Sequence, residues 1–123
     1  MMTRRKSFAA VIVLLMGAIT TQGQTIEQVR AELQRQHIPH PDIVLAQARL
    51  ETGNFSSRRC KVDHNLFGIK HRGKYARYAN WQASVADYKQ RISSRYNGGD
   101  YYAFLRRIGY ASDPLYIKKL QAF

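Results

Sequence analysis

The sequence predicts one α+β domain, mostly helical, with five helices packed around a single small β-hairpin. Three observations lead there. Apolar residues recur at helical spacing in segments that open on a capping residue and close on glycine or a polar break. One internal stretch, residues 54–80, lacks that period and turns at Gly73. The length of 123 residues allows one core and not two, and a domain of this size buries roughly two-thirds of the surface its unfolded chain exposes. With 45% hydrophobic residues, including eight tyrosines, five phenylalanines and one tryptophan, the composition excludes a disordered chain.

The elements follow in order. Thr25 and Gln28 form a capping box that opens a helix with Ile26, Val29 and Leu33 on one face. Residues 37–40 break it, and Pro41 suits the first position of a second helix that runs to Thr52. That helix is apolar nearly all round (Ile43, Val44, Leu45, Ala46, Ala48, Leu50), which places it in the centre of the core. Gly53 is its stop. Leu66, Phe67 and Ile69 before Gly73, with Tyr75, Ala76 and Tyr78 after it, read as the two strands of the hairpin. Trp81, Val85, Tyr88, Ile92 and Tyr96 form the longest stripe and predict a helix over residues 81–96, ended by Asn97-Gly98-Gly99. Asp100 caps a short helix bearing Phe104, Leu105 and Ile108. Asp113, as N-cap ahead of Pro114, opens the last one, with Ile117 and Leu120 inward.

The first residues read as an address. Arg4, Arg5 and Lys6 precede an apolar run over residues 8–19, 12 residues where a bilayer span needs about 20. Residues 1–23 are therefore expected to be a signal peptide and residues 24–123 the folded domain. No Ala-x-Ala site marks the cut, and no cysteine follows that could carry a lipid. Secretion or a periplasmic location is the expectation. Loss of residues 1–23 leaves 17 of the 20 Lys and Arg against eight acids, a net +9. That charge favours a polyanion as partner, and export removes nucleic acid from the choice, leaving acidic lipid or cell-wall polymer. Cys60 is the only cysteine, so no intrachain disulfide exists.

Glu51 is the anomaly of the core helix. It follows Leu50 at the end of the most apolar segment, where partial desolvation raises a carboxyl pKa. Its charge at a helix C-terminus also opposes the helix dipole. An acid that stays protonated near neutral pH is what cleavage of a glycosidic bond requires of the group that protonates the leaving oxygen.

Three blocks then point to a family. Ala46-Gln47-Ala48-Arg49-Leu50-Glu51-Thr52-Gly53, Asn65-Leu66-Phe67-Gly68-Ile69 and Gly109-Tyr110-Ala111-Ser112-Asp113-Pro114 together resemble the catalytic-helix, Asn-Leu-Phe-Gly-Ile and Tyr-Ala-Thr-Asp-Pro blocks of the glucosaminidase family of glycoside hydrolases. The third block carries Ser112 in place of Thr. The resemblance implies a lysozyme-like fold with a groove between a helical lobe and a reduced hairpin lobe. It also implies cleavage of β-1,4 bonds in peptidoglycan or a related N-acetylglucosamine-containing glycan by a chain expected to act as a monomer. It makes Glu51 the general acid and Tyr110 the active-site tyrosine, and it sets Asn65 and Phe67 on the groove floor. Larger members carry a longer β lobe, often with a second acid, whereas residues 69–86 hold no Asp or Glu here. Asp63, beside the hairpin, is then the first candidate for a second carboxylate, ahead of Asp87. Without one, water, the substrate's acetamido group or an internal hydroxyl (as in lytic transglycosylases) has to act as nucleophile. No metal or organic cofactor is expected.

Rival readings come from other classes. Cys60 and His64 stand four apart, as a cysteine peptidase pair could, but no orienting group accompanies them. Cys60, His64 and His71 match no common zinc spacing. A non-catalytic glycan binder could use Arg58, Arg59, Lys61, Lys70, Arg72 and Lys74 as a basic face.

Overall fold

A computed structural model describes residues 24–123; the expected signal peptide lies outside the described residues. Six α-helices, one short 3-10 turn and one two-stranded antiparallel hairpin make up these residues, a mostly helical α+β fold. No helix among them is long and apolar enough to cross a membrane.

Helix α1, Ile26–Arg35, starts on the expected capping box. Thr25 Oγ1 accepts from the Gln28 amide at 3.1 Å, and Gln28 Oε1 accepts from the Thr25 amide at 2.9 Å. Helix α2, Pro41–Thr52, opens on proline and ends at Gly53, whose φ of 58° lets its N–H turn back to the Arg49 carbonyl. Val44, Leu45, Ala46, Gln47, Ala48 and Thr52 are all buried, so α2 is the central helix. It packs against α1 on one side and, on another, against the last helix, α6.

A helix stands where none was expected. Helix α3, Arg58–Asp63, is capped by Ser57, whose side chain accepts from the Cys60 amide. Only Cys60 of its six residues is buried, so one cap and no apolar stripe define it. The hairpin is correspondingly smaller than the expected strands. Strand β1, Lys70–His71, pairs with β2, Lys74–Tyr75, in the register Lys70↔Tyr75 and His71↔Lys74. Leu66 and Phe67 are core residues in the turn that precedes it.

Helix α4, Trp81–Arg91, starts at Asn80, which accepts from the Ala83 amide. It stops five residues short of the end its stripe predicts. Ile92 leaves helical geometry at φ −113°, ψ −70°, and a 3-10 turn, Ser93–Arg95, follows. The Ser93 and Ser94 hydroxyls bond back to the Lys89 and Gln90 carbonyls, the competition by which serine bends helix ends. Helix α5, Tyr101–Arg107, is capped by Asp100, as expected. Helix α6, Tyr116–Gln121, has Leu115 as its N-cap rather than Asp113. The Asp113 carboxylate instead closes a turn by accepting from the Leu115 amide at 2.9 Å and pairs with Lys119 at 2.7 Å.

One apolar cluster joins all the helices and the Leu66-Phe67 turn. A line of polar groups runs through it. Gln47 on α2 donates to the Tyr116 hydroxyl on α6 at 3.2 Å and accepts from Tyr88 on α4. Tyr88 and Tyr101 on α5 share a hydrogen bond of 2.7 Å. Every buried polar atom in the line has a partner, so the network fixes how the four helices meet without an unpaired group.

Candidate active site

Glu51 occupies the last turn of α2 and opens onto a groove of ≈ 760 Å³. Other walls are the Phe67-Gly68-Ile69 turn, the end of α4 with its 3-10 turn, and the segment around Tyr110. The side chain as a whole is exposed to the groove, while protein on its remaining sides desolvates the carboxyl and raises its pKa. Tyr116 acts in the opposite direction. Its hydroxyl accepts from Gln47 and so keeps its own proton for the Glu51 carboxylate, which favours the charged form. Burial dominates, and Glu51 is a stronger proton holder than an ordinary glutamate.

Gly68 makes this closeness possible. A Cβ there would lie 2.8 Å from Glu51 Oε1, nearer than side-chain carbons approach other atoms, and the backbone is at φ 63°. Glycine is thus required twice over, by the carboxylate in front of it and by its own backbone.

Tyr110 is half-buried, its ring tilted against Tyr116 at 5.6 Å between centroids. Its hydroxyl donates to the Phe67 carbonyl at 3.1 Å, so it clamps the Gly68 turn against the helical lobe. Burial, then the nearby Tyr116 and Glu51 oxygens, push its pKa well above the usual tyrosine value. It is a neutral phenol at any working pH, with oxygen lone pairs left to accept.

The other expected site residues separate into two groups. Phe67 borders the groove, but the residue is only 2% exposed and its ring packs on Tyr88 at 4.5 Å between centroids. Asn65 is fully buried and lies beneath the turn. Its Nδ2 donates to the Ile69 and Ala76 carbonyls, and its Oδ1 accepts from the Phe67 and Ile69 amides. It shapes the groove from below, with every strong hydrogen-bonding position already used. Asp63 ends α3, pairs with Arg77 at 3.2 Å and is not on the groove wall. The carboxylates on that wall are Glu51 and Asp113, and Lys119 neutralises the latter.

Sequence reasoning overlooked Tyr116 and the groove cations Arg91, Arg95 and Lys119. Tyr116 was legible as the residue four before Leu120 on the inward face of α6. The cations carry no local signal, because the groove is formed by segments distant in sequence.

Two rival sites find no support in the geometry. The Cys60 thiol is buried and accepts from Gln24 Nε2 at 2.8 Å. Burial pushes its pKa up, against the thiolate a nucleophile needs. Among the described residues no three His, Cys, Asp or Glu side chains gather as a metal centre would require.

A comparison with curated proteins finds no match. The family model for Glucosaminidase (mannosyl-glycoprotein endo-beta-N-acetylglucosaminidase) matches residues 26–123, from the first helix through the last and across every wall of the groove. A desolvated acid at the end of the central helix, a glycine turn against it and an open groove suit glycan cleavage, and the chain belongs to the glucosaminidase family.

Proposed function

We propose that the protein is an exported peptidoglycan hydrolase of endo-β-N-acetylglucosaminidase type, with Glu51 as its general acid. The observation that carries this reading is the raised pKa of Glu51 at an open groove. A protonated Glu51 donates to the glycosidic oxygen as the bond to the anomeric carbon breaks, and the carboxylate left behind can take a proton back from the attacking group. Tyr116 steadies that carboxylate. Tyr110 holds the turn that confines it and offers its ring edge and oxygen to the sugar.

The nucleophile in this reading is not a second protein carboxylate. Asp113, the other acid on the wall, is tied to Lys119 and to the Leu115 amide, which hold its pKa below the usual range. Water, the substrate's own acetamido oxygen or an internal sugar hydroxyl then completes the reaction. Export rests on the basic and apolar pattern of residues 1–23.

The test is digestion of purified peptidoglycan with product analysis by mass spectrometry. Reducing N-acetylglucosamine ends support the proposal. Anhydro ends point to attack by an internal hydroxyl, and no cleavage by wild type removes the hydrolase reading in favour of a glycan binder.

A further inference from the structure

The groove wall carries more positive charge than a neutral sugar chain needs. Lys70, Arg91, Arg95 and Lys119 line it. Lys119 is taken by Asp113, and the Lys70 amine lies over the Tyr75 ring, 4.7 Å from its centroid. Arg95 sits on the 3-10 turn, exposed and without an ion pair among the described residues. Arg91 differs from all three because its head is held at one nitrogen and has two more to offer. Its Nε donates to Asp87 Oδ1 at 2.8 Å. Asp87 is itself fixed, with Oδ2 accepting from the Tyr78 hydroxyl at 2.6 Å and from His71 Nε2 at 2.9 Å.

Burial works against the charge on Asp87, yet the hydrogen bonds from Tyr78, Arg91 and His71 outweigh it and keep the acid ionised. Binding through Nε leaves the two terminal nitrogens of Arg91, which donate to no acceptor among the described residues. A guanidinium held at one end and open at the other is a preorganised fork for a planar anion. The early end of α4 matters here. Ending α4 at Arg91 sets Arg95 on the 3-10 turn that follows it, and both residues line the groove wall.

We propose that Arg91, seconded by Arg95, binds a carboxylate of the substrate and selects acidic glycans over neutral ones, with Asp87 as the positioning residue. The proposal rests on the groove being a glycan site, and binding measurements separate its failure from failure of the hydrolase reading. The carboxylate can belong to the sugar itself or to an acidic peptide attached to it.

The full chain carrying Glu51→Gln, which slows turnover, is titrated with three soluble fragments of one glycan. One bears free sugar carboxylates without peptide, one has these carboxyls converted to methylamides, and one retains acidic peptide. Binding to a carboxylate fragment should exceed binding to the amide by about tenfold, the scale of one charge-assisted bidentate contact. Preference for the first fragment assigns the sugar carboxylate, and preference for the third alone assigns the peptide.

Adding Arg91→Gln should abolish the preference while binding of the amide stays the same; Arg91→Lys should restore part of it. Asp87→Asn should reduce the preference without changing amide binding, whereas a merely structural role would weaken both. Equal binding of all three fragments, no binding of any, or a preference that survives Arg91→Gln together with Arg95→Gln overturns the proposal. If the preference holds but wild type cuts nothing, the hydrolase reading fails alone.

Discussion

Replacing Gly68 with alanine tests the claim that a bare backbone next to Glu51 sets the geometry of the acid. The new Cβ would start 2.8 Å from Oε1, and ordinary contact begins at 3.4 Å, so the carboxyl or the turn must retreat by about 0.6 Å. Displacement of a catalytic group by 1 Å costs on the order of 100-fold in rate, so about 0.6 Å should cost roughly tenfold. A second penalty is separate from the contact. Gly68 is left-handed at φ 63°, and alanine there costs about 1–2 kcal/mol of stability, or about 4–8 °C of melting temperature per kcal/mol. Gly73 supplies the control, because it is left-handed at φ 78° with nothing within 4 Å of its would-be Cβ. Both alanine variants should melt lower than wild type by similar amounts, and only Gly68→Ala should lose kcat on peptidoglycan, assayed well below both melting temperatures. Equal kcat in the two variants would refute the contact argument.

Glu51→Gln should lower the cleavage rate by roughly two to four orders of magnitude with circular dichroism unchanged. The raised pKa of Glu51 implies that wild-type activity falls as pH rises through a value above the ordinary glutamate range. The same shift has a sign for stability: the folded state holds this proton more tightly than the unfolded one, so its stabilising effect is present at low pH and lost as pH rises through the folded value. Glu51→Gln should accordingly be no less stable than wild type at pH 7, measured by thermal melting. Asp63→Asn should leave turnover intact and change stability by under about 1 kcal/mol, since it loses only a surface pair with Arg77; a large loss of kcat would restore Asp63 as a second acid. Asn65→Ala strands the Ala76 carbonyl and the Phe67 and Ile69 amides, while the Ile69 carbonyl keeps its bond from the Ala76 amide, and should cost about 3 kcal/mol or more in denaturant titration.

Local chemistry was legible where one residue type settles one geometry. Thr25 with Gln28, Pro41, Gly53 and Asp100 mark helix ends from sequence alone, and the structure has those ends. The apolar surround of Glu51 likewise announced a desolvated acid. Helix α3 was not legible because its single buried residue leaves no period to detect. The stripe from Trp81 to Tyr96 misled because Tyr96 does pack on the core, at 5.4 Å from Phe104, but from beyond a break that Ser93 and Ser94 produce. Asn65 was read as a groove residue because its block marks position, and position does not say which way an amide points. The pairing of Gly68 with Glu51, and of Tyr110 with the Phe67 carbonyl, joins residues that no short window contains together.

That long reach also governs when the protein can first act. The acid arrives with residue 51, its confining turn with residue 68, its clamp with residue 110 and its hydroxyl neighbour with residue 116. During synthesis a domain folds as a unit, so its last helix sets when the site is complete. Glu51 meets Tyr116 only once α6 has been made and has docked on α2 through Gln47. A nascent chain that has emerged through α4 therefore carries the acid without its surroundings, and catalytic competence is acquired late, in a single step.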